Sequence, residues 1–452
     1  MSENTNDVIM VDGVHSYTEA VKYITPPSPI KEKLEWFKDL KFALMIHWGV
    51  YNQLGIVPSW GMVDNQKHWS RDPEEFSPGA NWTDDANRLR EEYFDLYKSF
   101  NPIRFNPDDW AEFADENCFK YLIFTTKHHD GFSMWDTKQT DYKVTSEKCP
   151  FHTHEKADIV AQVFDAFRKK GFPIGAYFSK PDFHSEDFWE VDAWHKNSTT
   201  WEPTYDIKEK PEKWESFINF VHNQLHELTT DYGKIDILWL DGGICAEKYG
   251  YGIRIEEVVE KARKINPELI VADRGAETAF ENYLTPELEI PPNPIDVPWE
   301  ACMTLGHGFQ YVYDDDYKTP QEIINILLEI VCKGGNLALN ISPQPDGRLP
   351  KNAIKVMRVV GAWLRKYGEA IFKTRPCAPY KQDNLFFTQT KDFVYAIAKD
   401  FDGKFIPFTD KITKIEALNT NENIDFKYTD NGIELYNAYR TDEEYAVFKM
   451  YK

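Results

Sequence analysis

Between residues 40 and 345, short apolar runs alternate with longer stretches whose apolar positions recur at helical spacing. The runs are 42–48 (FALMIHW), 121–127 (YLIFTTK), 173–178 (PIGAYF), 237–240 (ILWL), 269–273 (LIVAD) and 336–341 (NLALNI). Runs of this length, rich in β-formers and bounded by turn signals, predict buried strands. Between them the periodicity predicts helices at 87–99, 108–117, 159–170, 212–230, 255–265 and 319–332, with a closing helix at 351–367. Several carry their own end signals: Asn106-Pro107-Asp108 opens one, Gly171 stops another, and Asn266-Pro267 ends a third. Alternating strand and helix implies a parallel sheet covered by helices. Length and rhythm fit a (β/α)8 TIM-like barrel better than an open sheet. Two of its strands are expected near 285–303, where the pattern is weakest. After residue 373 the texture changes to short alternating runs at 385–390, 393–398, 415–418, 433–436 and 445–450, separated by turn residues such as Asp402-Gly403 and Asn431-Gly432. These predict a small C-terminal antiparallel β-sandwich. The organisation read from the pattern is an N-terminal arm (1–30), a catalytic barrel (31–372) and the sandwich (373–452).

In such a barrel, functional side chains collect where the strands end. The run ILWL ends on Asp241, and Gly242-Gly243 lets the chain turn away. Trp239 lies two residues earlier and points to the same side. The other runs deliver His47, then His128 and His129, then Tyr177, then Arg274. Adjacent His128 and His129 cannot both face inward from a regular strand, so one is expected only to pack.

Composition narrows the chemistry. Aromatic residues make up 15% of the 452 residues, an excess that suits stacking on sugar faces as well as core packing. The formal charge of −22 argues against nucleic acid and anionic membrane surfaces as partners. No apolar run is long enough to span a bilayer. The polar N-terminus has no signal-like apolar region, so the protein is expected to be cytoplasmic, or exported if a signal peptide has been removed. Six scattered cysteines (118, 149, 245, 302, 332 and 377) predict free thiols. HExxH, GxSxG and GxGxxG are all absent. A two-histidine metal site at His128 and His129, completed by Asp130 or Asp182, is one alternative. Otherwise carboxylate chemistry remains. Glycoside cleavage needs two carboxyls flanking one bond. Asp241 supplies one, and the stretch 277–300 offers Glu277, Glu281, Glu287, Glu289 and Glu300 for the other. Pro286 stiffens the backbone just before Glu287.

Taken together, FALMIHWG (42–49), TTKHHDGFSMWDTKQTDY (125–142), GAYFS (175–179), ILWLDGG (237–243), ADRG (272–275), TPELEIP (285–291) and KGGNLALNISPQPDG (333–347) resemble the α-L-fucosidases of glycoside hydrolase family 29. The resemblance covers roughly residues 30–372 and continues into the sandwich. It implies a retaining exo-glycosidase that cleaves terminal α-L-fucosyl linkages of a fucosylated glycan, with no cofactor or metal. By the same resemblance Asp241 is the nucleophile and Glu287 the acid/base, its proton held by an apolar setting or a nearby charge, with Glu289 and Glu281 as the next matches. His47, His128, His129, Tyr177, Trp239 and Arg274 bind fucose, and Phe309 lines the pocket for the C6 methyl. One departure stands out: many members carry a Glu-Trp pair in the loop after the first strand. Here Pro58-Ser-Trp60-Gly-Met62-Val63 takes that place, leaving Trp60 as the contact from this loop and predicting an altered linkage preference. Rival readings are a galactosidase-like retaining enzyme, a non-catalytic glycan-binding barrel, which the intact Asp241 disfavours, and a metal-dependent hydrolase.

Overall fold

A computed structural model describes residues 7–14, 20–64, 67–71, 83, 85–192, 200–401 and 403–452. The six apolar runs are strands of one parallel sheet: β1 (Phe42–Ile46), β2 (Tyr121–Lys127), β3 (Ile174–Ser179), β4 (Ile237–Asp241), β5 (Ile270–Ala272) and β7 (Asn336–Asn340). A seventh, β6 (Glu300–Thr304), lies in the weakly patterned region. The order is β5-β4-β3-β2-β1-β7-β6. The sheet curls until β5 and β6 face each other across the irregular segment 282–288. Asn282 N–H donates to Val271 O at 2.8 Å on one side. On the other, Leu284 N–H donates to Pro298 O, Glu300 N–H to Leu284 O and Leu288 N–H to Cys302 O, each at 2.9 Å. This segment fills the eighth place. Pro286 has no N–H to give, so a regular ladder cannot form there.

Alternation along the strands sorts two cores. Ala43 and Met45 of β1, Tyr177 of β3, and Ile237 and Trp239 of β4 pack inside the barrel. Phe42, Leu44, Leu238 and Leu240 pack outward against the helices. The same register carries Asp241, two residues past Trp239, to the barrel's mouth. Helices Ile255–Ile265 and Lys351–Tyr367 have the predicted bounds. Thr319 and Glu322 form a reciprocal capping box on Pro320–Cys332.

From Arg375 onward, a six-stranded and a three-stranded antiparallel sheet enclose a third core that includes Phe387, Ile415, Ile433 and Phe448. Strands Arg375–Gln382, Glu422–Ile424 and Phe426–Thr429 escape the apolar pattern because their residues are mostly exposed or half-exposed. The N-terminal arm is not simply a lead-in. Val8–Val11 pairs antiparallel with Val21–Ile24. Buried Tyr23 donates its hydroxyl to Asn282 O at 3.0 Å, which ties the arm to the barrel's closing segment. Among the described residues all six cysteines are free, and no helix is long and apolar enough to cross a membrane.

Candidate active site

One cavity opens at the C-terminal ends of the strands, and all ten candidate residues border it: His47, Trp60, His128, His129, Tyr177, Trp239, Asp241, Arg274, Glu287 and Phe309. Asp241 is the last residue of β4. Gly242 follows at φ +86°, where a side chain would strike Pro181, so only glycine makes this turn. Its N–H donates to Asp241 Oδ1 at 2.8 Å. Tyr177, level with Trp239 on the neighbouring strand, donates its hydroxyl to Asp241 Oδ2 at 2.5 Å. Arg274 Nη1 donates to Oδ1 at 2.9 Å, while its Nη2 donates to Glu287 Oε2. A single guanidinium therefore spans both carboxyls. Burial alone would push the Asp241 carboxyl up, but the Arg274 charge and the Tyr177 hydrogen bond outweigh it and hold the group well below the usual carboxylate range. These contacts favour its anionic form.

Beneath these groups lies the Trp239 indole. Arg274 sits over its ring at 4.5 Å, and Tyr177 stacks on it at 5.1 Å. The indole N–H points down and donates to Glu300 Oε1 at 3.1 Å. Tyr121 donates to the other Glu300 oxygen. Burial pushes this carboxyl up to about 7.

Three imidazoles form a wall. His47 Nδ1 lies 2.9 Å from Asn340 Oδ1. His128 Nδ1 is 2.7 Å from Ser59 Oγ, and His129 Nδ1 meets Ser179 Oγ. The free Nε2 of His129 stands 3.7 Å from Asp241 Oδ2. Burial lowers His47 and His129 to about 4 and His128 well below its ordinary value, so all three are neutral near pH 7. They act as hydrogen-bonding groups rather than charges. Both adjacent histidines border the cavity, contrary to the strand argument. The pairing of β2 with β3 shifts register after Thr125, and β2 ends at Lys127, so neither obeys the alternation.

Metal-binding geometry also differs from the alternative weighed above. Asp130 is held by Tyr93 and the Phe132 N–H, and Asp182 by Lys127, so neither completes a histidine pair. Instead His128, His129 and Asp241 bring ligand atoms within 4.8 Å of one another. These three could hold a divalent ion, but the Asp241 carboxylate already carries a guanidinium.

The glutamates of 277–300 separate cleanly. Glu287 borders the cavity, paired to Arg274 rather than set in apolar surroundings. Glu281 is buried and accepts the Gly275 and Glu277 N–H groups, which braces the loop carrying Arg274. Glu277 pairs with Lys248, Glu300 lies below Trp239, and Glu289 does not line the cavity. In the loop after β1, Trp60 stands 5.1 Å from the His129 ring. Met62 and Val63 are fully buried, and Asp64 is paired with Arg90 at 2.8 Å. Phe309 packs beside His47 at 4.8 Å. Ser59, Ser179 and Asn340, which orient the imidazoles, carry no sequence signal of that role.

A family model described as α-L-fucosidase matches residues 14–369. The chain belongs to the α-L-fucosidase family. It is 27% identical over 410 residues to human tissue α-L-fucosidase, an alignment that covers 85% of this chain and 80% of the human one. The mouse tissue α-L-fucosidase is 28% identical over 383 residues, covering 80% and 76%. Among solved structures, α-L-fucosidase isoenzyme 1 from Paenibacillus thiaminolyticus superposes with a TM-score of 0.76 at 26% identity, over 93% of this chain and 99% of that one. A Bacteroides thetaiotaomicron α-L-fucosidase of glycoside hydrolase family 29, trapped as a covalent intermediate with 2-fluoro-fucosyl fluoride in a glutamate-to-glutamine variant, gives 0.74 at 25% identity, over 94% and 96%.

Proposed function

We propose that this family member hydrolyses terminal α-L-fucosyl linkages of glycans with retention of configuration, Asp241 serving as nucleophile and Glu287 as acid/base. The observation that carries the assignment is the shared guanidinium: Arg274 holds both carboxyls at the strand ends, in a cavity walled by neutral imidazoles and an indole. Retaining enzymes need the pair about 5–5.5 Å apart, a spacing one sugar bond can bridge. An ionised Asp241 oxygen attacks the anomeric carbon. The bond to the leaving oxygen breaks, and that oxygen takes its proton from Glu287. In the second half a water gives its proton to Glu287 and its oxygen to the anomeric carbon, which frees Asp241. His47, His128 and His129, with one ring nitrogen each fixed by a neighbour, present the other to the sugar hydroxyls.

Asp241→Ala should remove turnover of an aryl α-L-fucoside while leaving the fold intact; near wild-type activity would refute the nucleophile assignment. The half-buried Phe309 favours a methyl over a hydroxymethyl substituent at C6. Aryl fucosides should therefore be hydrolysed faster than aryl galactosides, and the reverse order would favour the galactosidase reading. Retention of full activity in chelator is expected, and loss of activity would revive a metal at His128, His129 and Asp241.

A further inference from the structure

The mouth of the cavity carries apolar groups that the chemistry at the anomeric carbon leaves unused. Leu288 directly follows Glu287, borders the cavity and is 51% exposed. Its φ is +55°, a left-handed conformation that a leucine side chain disfavours. The closing segment imposes this: Cys302 N–H donates to Pro286 O at 3.1 Å and Leu288 N–H to Cys302 O at 2.9 Å, which fixes the chain on both sides of Glu287. Trp69 also borders the cavity and is 39% exposed. Half-buried Trp201 completes the set. The rings of Trp69 and Trp201 lie 6.5 and 6.4 Å from that of Trp60, which in turn touches His129. Indoles thus run from the inner wall to the rim. Core packing accounts for buried tryptophans but not for an exposed leucine held in a strained backbone on a cavity that an exposed indole also borders. Such patches in a concave site mark ligand contact.

We propose that Leu288, Trp69 and Trp201 form a leaving-group subsite that takes the first sugar ring of the aglycone by its apolar C–H face. The inference rests on the fucosidase reading above. Under that reading the leaving oxygen sits within reach of Glu287, so the ring bonded to it comes beside the next residue, Leu288. The flat, apolar indole faces suit a pyranose ring and offer nothing to an anionic or strongly branched polar group. The natural substrate is then a fucosylated oligosaccharide chain, with recognition reaching past the fucose itself.

The test compares three substrates that share the fucosyl group: α-L-fucosyl fluoride, which carries no leaving ring, p-nitrophenyl α-L-fucoside and a fucosylated disaccharide. The variants are Leu288→Asn and Trp201→Ala. Asparagine adopts the left-handed conformation readily, so Leu288→Asn should melt at or above the wild-type temperature. Both variants should lower kcat/KM on the fucosylated disaccharide by about tenfold or more relative to fucosyl fluoride. An equal change on fluoride and disaccharide would overturn the subsite. A selective loss confined to the aryl substrate would overturn its assignment to a sugar ring. Wild-type protein that releases fucose from none of the three would instead overturn the fucosidase reading, and the subsite with it.

Discussion

Arg274 joins the two carboxyls of the proposed mechanism, because its two terminal nitrogens hold one each. That arrangement keeps Asp241 charged and sets Glu287, the proposed acid/base, against the same guanidinium. Glu287→Gln should therefore slow fucosides with poor leaving groups by about a hundredfold or more. On fucosyl fluoride, whose leaving group needs no proton, the variant should show a rapid burst of fluoride release and then stall. Stopped-flow measurement of fluoride release tests this, and equal slowing of burst and steady state would contradict it. The strand-end candidates are legible in the sequence because each closes an apolar run, as Asp241 closes ILWL and His47 follows FALMI, whereas Glu287, Trp60 and Phe309 close none and rest on the family resemblance. The partners of the strand-end histidines are not legible. Ser179, Ser59 and Asn340 are ordinary polar residues until the sheet curls and brings them against imidazoles. The inward placement of both His128 and His129 was hidden for a related reason: a register shift has no signature in hydrophobic alternation.

At the scale of elements, the Trp239 indole of β4 meets Glu300 of β6 in a buried hydrogen bond across the barrel. The carboxyl also receives Tyr121, so it anchors the indole on which Tyr177 and Arg274 rest. Replacing it with an apolar group leaves buried donors unpaired, each costing about 1–3 kcal/mol. Glu300→Leu should lower the melting temperature markedly, whereas Glu300→Gln, which keeps an acceptor, should lose much less. Indistinguishable melting of the two variants would remove Glu300 from this role. Helices with strong periodicity and a stop signal, such as Ile255–Ile265 before Asn266-Pro267, are legible to the residue. The closing segment 282–288 was not, because Pro286 and the scattered glutamates erase the period of two while tertiary hydrogen bonds to Val271, Glu300 and Cys302 hold it in place. The pair Val8–Val11 and Val21–Ile24 leaves no strand pattern in the sequence, since both strands are short and mostly exposed or half-exposed.

For the whole molecule, sandwich and barrel share one apolar core: Phe386, Tyr395, Ile397 and Val447 pack in the same cluster as the barrel helices. Thr388 donates to Ala370 O at 2.7 Å, and Tyr445 to Asn325 Oδ1 at 2.9 Å, across the junction. Calorimetry should show one cooperative unfolding transition, and two separated transitions would contradict the shared core. Stability should also carry the mark of the buried histidines. The folded state keeps His129 neutral down to about pH 4, while the unfolded chain protonates it below about 6.5. Its contribution is therefore lost progressively as pH falls from about 6.5 to 4, by about 2 kcal/mol at pH 5. Urea unfolding at pH 7 and 5 should show a smaller loss for His129→Gln than for wild type, and an equal loss would contradict a neutral buried imidazole. Most directly, wild-type protein should be incubated with 2-fluoro-fucosyl fluoride and its peptides mapped by mass spectrometry. The expected result is one fluorofucosyl unit on the peptide carrying Asp241 and none in Asp241→Asn; a label on any other residue, or fucoside hydrolysis with no label at all, would contradict it.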